Sequence, residues 1–152
     1  MVEVGVILGS RSDLGLMEKC VEQLELLGIE SELKICSAHR NPGGVMEWAQ
    51  SAADRGLRVV IAAAGGAAHL PGVVAAWTSL PVIGVPVPTA HLGGVDSLYS
   101  IVQMPAGIPV ATMAIGEAGA RNAAWFAARI LALGRPEVAA RHLELRRALA
   151  DR

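Results

Sequence analysis

From Val59 through Gly116 the sequence contains one acidic or basic side chain, Asp96, histidines aside. A stretch so poor in charge has few places to go in water. It can cross a membrane, fill the inside of a domain, or lie under another copy of the chain. A membrane helix needs about 20 consecutive apolar residues. Here Gly65, Gly66, Pro71, Pro81, Pro86 and Pro88 break the run repeatedly. That pattern excludes a span and predicts several short buried elements. A monomer is expected to carry more charge on its helices, so the stretch also predicts a homo-oligomer.

The rest of the chain supplies the alternation such a core needs. Val2–Leu8 is apolar and rich in β-branched residues, as in a strand buried on both faces. Leu33–Cys36, Arg58–Ala64, Pro81–Val87 and Pro109–Ile115 read as four more strands. Between them lie helical patterns. Met17, Cys20, Val21, Leu24 and Leu27 recur at helical spacing, with Asp13 as the expected cap and Gly28 as the stop. Asn41-Pro42 opens a second helix with Val45, Trp48, Ala49 and Ala52 on one face. Pro71 starts a third, running to about Trp77. A short helix is expected near Ser97–Gln103 and a long one over Ala118–Leu133. Gly134-Arg135-Pro136 then breaks the chain before a last helix, Glu137–Asp151.

Strands alternating with helices through short links indicate an α/β fold, a three-layer αβα sandwich. Five parallel strands favour the flavodoxin-like order 2-1-3-4-5. The 152 residues read as one domain. The last helix has Val138, His142, Leu145 and Leu149 on one face, and it is expected to pack on a neighbouring subunit.

Formal net charge is −1, with no block of like charges. Nothing in that balance suits capture of nucleic acid or a polybasic membrane contact. Cys20 and Cys36 match no metal or redox spacing and read as small buried hydrophobes in a reducing cytoplasm. Glu3, close to the start, argues against a signal peptide.

The chemistry gathers at three consecutive strand exits. They are Gly9-Ser10-Arg11-Ser12-Asp13, Ser37-Ala38-His39-Arg40 and Gly65-Gly66-Ala67-Ala68-His69-Leu70. In an open parallel sheet the strand carboxyl ends are where ligands bind. The first exit leads into a helix N-terminus, which favours an anion, although an ordinary capped turn would read the same. It lacks the Gly-Lys-Ser/Thr of a Walker A loop and the GxGxxG dinucleotide fingerprint. Arg40 can hold a phosphate through paired hydrogen bonds. His39 can move a proton near neutral pH. Small residues around His69 let a ligand approach the backbone. His91 and His142 read as a loop histidine and a packing histidine. No Cys-His spacing fits a zinc site. Two readings remain at this point: proton-transfer catalysis on a phosphorylated substrate, or nucleotide binding without catalysis.

Five stretches carry a resemblance. GSRSD (9–13), SAHRNP (37–42), AAAGGAAHLPG (62–72), GVDSLYSIVQMPAGIPV (94–110) and AIGEAGARNAA (114–124) resemble the PurE family, in its bacterial mutase type. Pairing of SAHR with GGAAHLPG resembles the mutases rather than the animal-type direct carboxylases, which carry a lysine after SAH.

The resemblance implies a step of de novo purine synthesis, the transfer of a carboxylate from N5 to C4 of an aminoimidazole ribonucleotide. It implies no ATP, metal or biotin, and an octamer in the cytoplasm. His39 matches the catalytic histidine. Ser10, Ser12, Asp13, Ser37 and Arg40 match substrate-binding positions, with Asp13 on the ribose hydroxyls and Arg40 on the phosphate. Gly65, His69 and Leu70 match the part around the base and carboxylate. The alternatives are a direct carboxylase using CO2, a non-catalytic nucleotide-binding subunit, and a carboxylase for another nucleotide. Arg11 stands where lysine is frequent in the family, and the loop 88–93 departs from the usual sequence.

Overall fold

The computed structural model describes residues 1–151. Five parallel strands, β1 (Val4–Leu8), β2 (Ser31–Ile35), β3 (Val59–Ala64), β4 (Val82–Pro86) and β5 (Ala111–Thr112), form one sheet in the order β2-β1-β3-β4-β5. The helices are α1 (Leu14–Leu26), α2 (Pro42–Gln50), α3 (Leu70–Trp77), α4 (Val95–Val102), α5 (Glu117–Ala132) and α6 (Pro136–Ala150). This is the flavodoxin-like three-layer sandwich that the alternation predicts.

Every residue of β1, β3 and β4 is buried, so these strands are apolar throughout rather than alternating. Successive side chains still point to opposite faces. Val4, Val6, Leu8, Val59, Ile61 and Ala63 join a core with α1 and α5, to which Val138 of α6 adds. Ile7, Val60, Ala62 and Ala64 join the other core, beneath α2, α3 and α4. Cys20 and Cys36 are free and buried. Burial pushes the Cys20 thiol up to about 12, as expected for an inert core sulfur.

β2 is different. It pairs only with β1 and leaves Leu33 and Lys34 exposed. It is fastened by α2 and the turn after it, where the Trp48 indole N–H donates to Glu32 Oε1 at 2.9 Å and Arg55 Nη2 donates to the same oxygen at 2.8 Å.

Two local expectations are corrected. Asp13 does not cap α1 with its side chain. A 3-10 turn, Arg11–Asp13, precedes the helix, and Ser10 caps that turn by accepting from the Ser12 N–H at 3.3 Å. The fifth strand is two residues long, not seven. Only Ala111 and Thr112 pair with β4, and the chain then turns so that the Ala114 carbonyl packs where a Gly119 Cβ would stand. Close approach of α5 ends the strand.

α6 lies against α5 of its own chain. Val138 and His142 are buried there, and Leu145 packs on the core. Arg141 Nε donates to the Leu26 carbonyl at 2.8 Å. Leu143 and Leu149 remain exposed. No helix among the described residues is long and apolar enough to cross a membrane.

Candidate active site

Parallel register brings the three strand exits level. Leu8 pairs with Ile35 on one side and Ala63 on the other. The loops that follow therefore rise side by side at one sheet edge, around a cleft of about 390 Å³. Its lining includes Ser10, Asp13, Ser37, His39, Arg40, Gly65, His69 and Leu70, so eight of the nine residues predicted from the sequence meet in one place. Ser12 does not line it. It is exposed, and its hydroxyl is 2.9 Å from Ser10 Oγ.

Each loop holds its side chains for a local reason. The Arg40 N–H donates to Ser37 Oγ at 3.2 Å, and Asn41 caps α2 by accepting from the Gly44 N–H at 3.0 Å. This tight turn turns both His39 and Arg40 to the cleft. Arg40 Nη2 lies 3.5 Å from the Gly9 carbonyl, which ties the second exit to the first. His69 occupies the N-cap position of α3 without capping it through its side chain. Instead its Nδ1 lies 2.7 Å from His39 Nε2, across the cleft.

Asp13 is buried at the cleft floor. Burial raises its carboxyl above the ordinary value, with the Ser12 hydroxyl pulling the other way. A carboxylate kept without a cap bond can accept from ligand hydroxyls. Among the described residues, no three or more His, Cys, Asp or Glu side chains gather as for a metal ion.

His91 is exposed in the turn after β4 and is absent from the cleft lining. His142 accepts from Arg129 Nε at 3.2 Å and packs edge-on against Trp125, a structural histidine as expected. Sequence reasoning missed Ser97 and Ser100 of α4, whose hydroxyls grip the Gly66 peptide behind the cleft wall. A serine's hydrogen-bond partner 31 residues away leaves no local pattern. The only signal is the inclusion of both in the stretch 94–110.

Comparison with known proteins bears on the cleft as a whole. The sequence pattern of the AIR carboxylase family matches residues 3–152. An Aquifex aeolicus protein named N5-carboxyaminoimidazole ribonucleotide mutase is 60% identical over 136 residues, 90% of this chain and 80% of its own. The Escherichia coli K12 protein of the same name is 52% identical over 97% of this chain and 88% of its own. The crystal structure of Treponema denticola PurE superposes with a TM-score of 0.89 at 32% identity, covering 99% of this chain and 93% of that one.

Proposed function

The chain belongs to the AIR carboxylase family, and from that membership we propose that it converts N5-carboxyaminoimidazole ribonucleotide to 4-carboxy-5-aminoimidazole ribonucleotide, a step of purine biosynthesis. The observation that carries the reading is the meeting of SAHR and GGAAHL residues across one cleft, in a chain 60% identical to a named mutase.

In this reading the N5–carboxyl bond breaks first, CO2 leaves, and N5 takes a proton from His39. C4 then attacks the same CO2, a C4–carbon bond forms, and His39 recovers the proton that C4 loses. Protons balance, and one imidazole serves as acid and then base. Arg40 holds the phosphate with the Ser37 hydroxyl beside it, Ser10 faces the ribonucleotide, and Ser12, outside the cleft lining, acts through its hydrogen bond to Ser10. Asp13 accepts from the ribose hydroxyls. Gly65, His69 and Leu70 form the wall around the base and the migrating carboxylate.

Two demands follow. Confining the CO2 makes its recapture effectively intramolecular. Confinement also requires that water be kept out, yet His39, Arg40 and His69 are exposed in the single chain. A neighbouring copy would complete the cover, and the family resemblance gives the octamer as its form. Val95, Tyr99 and Val102, which share an exposed face of α4, and Leu143 and Leu149 on α6 are suited to such contacts. The proposed compartment is the cytoplasm.

The test is conversion of freshly made N5-carboxyaminoimidazole ribonucleotide by the native protein and by His39→Asn. Rapid conversion by the first and none by the second is the expected result. No conversion by the native protein, with tight ribonucleotide binding, would leave a binding subunit. The family description itself names a carboxylase. Feeding N5-carboxyaminoimidazole ribonucleotide and aminoimidazole ribonucleotide separately under low bicarbonate separates that reading, since only the carboxylated substrate then brings a carboxylate for a mutase to move, and a direct carboxylase is left without CO2.

A further inference from the structure

Gly66 sits at the turn of the third loop, between two residues that line the cleft, Gly65 and Ala67, but does not line it itself. Its φ of +67° is a left-handed conformation that glycine adopts readily. A turn of small residues with no side chains to pack needs another source of rigidity.

α4 provides it. Ser97 is completely buried. Its hydroxyl donates to the Val87 carbonyl at 2.7 Å and accepts from the Gly66 N–H at 3.0 Å. Ser100 Oγ lies 3.2 Å from the Gly66 carbonyl and 2.9 Å from the Asp96 carbonyl, one proton serving both. The two peptide groups that flank the Gly66 Cα are thus both held, one by its N–H and the other by its C=O. The same helix pins the loop after β4, where Thr89 Oγ1 donates to Asp96 Oδ1 at 2.7 Å and accepts from the Gly94 N–H at 3.1 Å. The Thr89 hydroxyl holds the Asp96 carboxyl below its ordinary value. The two strand exits also meet directly, where the Val87 N–H donates to the Ala64 carbonyl at 3.0 Å.

We propose that Ser97 is a positioning residue that holds the Gly65–Ala67 wall closed against the CO2 released in the cleft. This rests on the mutase reading given above. Ser97 touches no reacting atom. It joins the exits of β3 and β4 into one surface, so that a small neutral molecule meets a fixed wall and not a breathing loop. Deleting its fully buried hydroxyl takes this partner from the Gly66 N–H and the Val87 carbonyl, both on half-buried residues.

The experiment measures leakage, using the full chain and N5-carboxyaminoimidazole ribonucleotide in 13C-bicarbonate buffer. The readouts are free aminoimidazole ribonucleotide released per carboxylated product, and 13C entering the product. Both are ratios, taken after subtracting the uncatalysed breakdown of the carbamate measured without protein and at matched rates of conversion, so loss of folded protein does not move them. Ser97→Ala is expected to raise the release ratio by about tenfold, the equivalent of one hydrogen bond. Ser100→Ala is expected to raise it less. Should Ser97→Ala fail to fold, Gly66→Ala loosens the same peptide from the other side, because an added Cβ meets no atom within 4 Å and only the backbone is strained. An unchanged ratio in the folded variant overturns the role of Ser97, even where kcat falls. If the native protein itself converts nothing, the mutase reading fails and takes this role with it.

Discussion

His39 Nε2 and His69 Nδ1 lie 2.7 Å apart, with ring centroids at 4.8 Å and ring planes at 88°. At that distance one ring nitrogen donates its N–H to the other, the tautomers deciding which. The contact presents His39 at the cleft as an oriented proton carrier. His39→Asn removes the carrier and keeps a polar side chain of related size. Turnover is expected to fall by about 10²-fold or more, with ribonucleotide affinity within a few fold by calorimetry. Near-normal turnover would remove His39 from the chemistry.

Among the described residues Arg40 is the one guanidinium in the cleft lining, and it rests on the Gly9 carbonyl. Arg40→Ala is expected to weaken ribonucleotide binding by about 10- to 100-fold through lost charge-assisted bonds. Binding of the dephosphorylated nucleoside should change little. Equal losses for both ligands would place Arg40 away from the phosphate.

Asp13 sets function against stability. Its carboxyl is raised by burial, so the charged form is disfavoured in the folded chain. The folded state therefore gains stability as pH falls through the raised value toward 3.8. Asp13→Asn removes the buried charge. Its thermal midpoint at pH 7 is expected to rise while ribonucleotide binding weakens. A lower midpoint would mean that the carboxylate is a structural bond acceptor.

Gly119 and Gly15 make a matched pair. A Cβ on Gly119 would stand 1.6 Å from the Ala114 carbonyl oxygen, a backbone atom that cannot swing aside. A Cβ on Gly15 would meet nothing within 4 Å. Gly119→Ala is expected to cost more than about 3 kcal/mol by urea denaturation. Gly15→Ala is expected to be neutral or stabilising by less than about 1 kcal/mol. Comparable effects would contradict the close packing of α5 under the end of β5.

His142 ties α6 to α5 as a neutral ring. Burial, then the Arg129 and Arg146 charges, depress its pKa below 6.5. The unfolded chain thus takes up its proton first. Stability is full above 6.5, is lost as pH falls from there, and levels off below the folded value. His142→Gln is expected to flatten that decline below pH 6.5. An unchanged slope would assign the decline to other groups.

The periodic elements were legible because burial writes itself into residue order. Val45, Trp48, Ala49 and Ala52 share a face by spacing alone, and all four are buried. The cleft was legible because strand exits converge once the order is 2-1-3-4-5. What escaped depends on distant geometry. Asp13 looked like a cap because it precedes a helix, but the 3-10 turn hands that task to Ser10. The fifth strand looked long because Pro109–Ile115 is apolar, while the position of α5 decides where pairing stops. Ser97 was invisible because its partners, Val87 and Gly66, come from two other loops.

The two halves of the cleft are mounted unequally. His69 and Leu70 follow β3, a fully buried strand paired on both sides. His39 and Arg40 follow β2, an edge strand paired on one side and partly exposed. Amides of β2 are therefore open to exchange with solvent deuterium at lower free energy than those of β3. The free cleft has one anchored jaw and one that yields, and a ligand gripped by both transfers the stability of the interior to the margin. Its arrival is expected to slow deuterium uptake along residues 31–35.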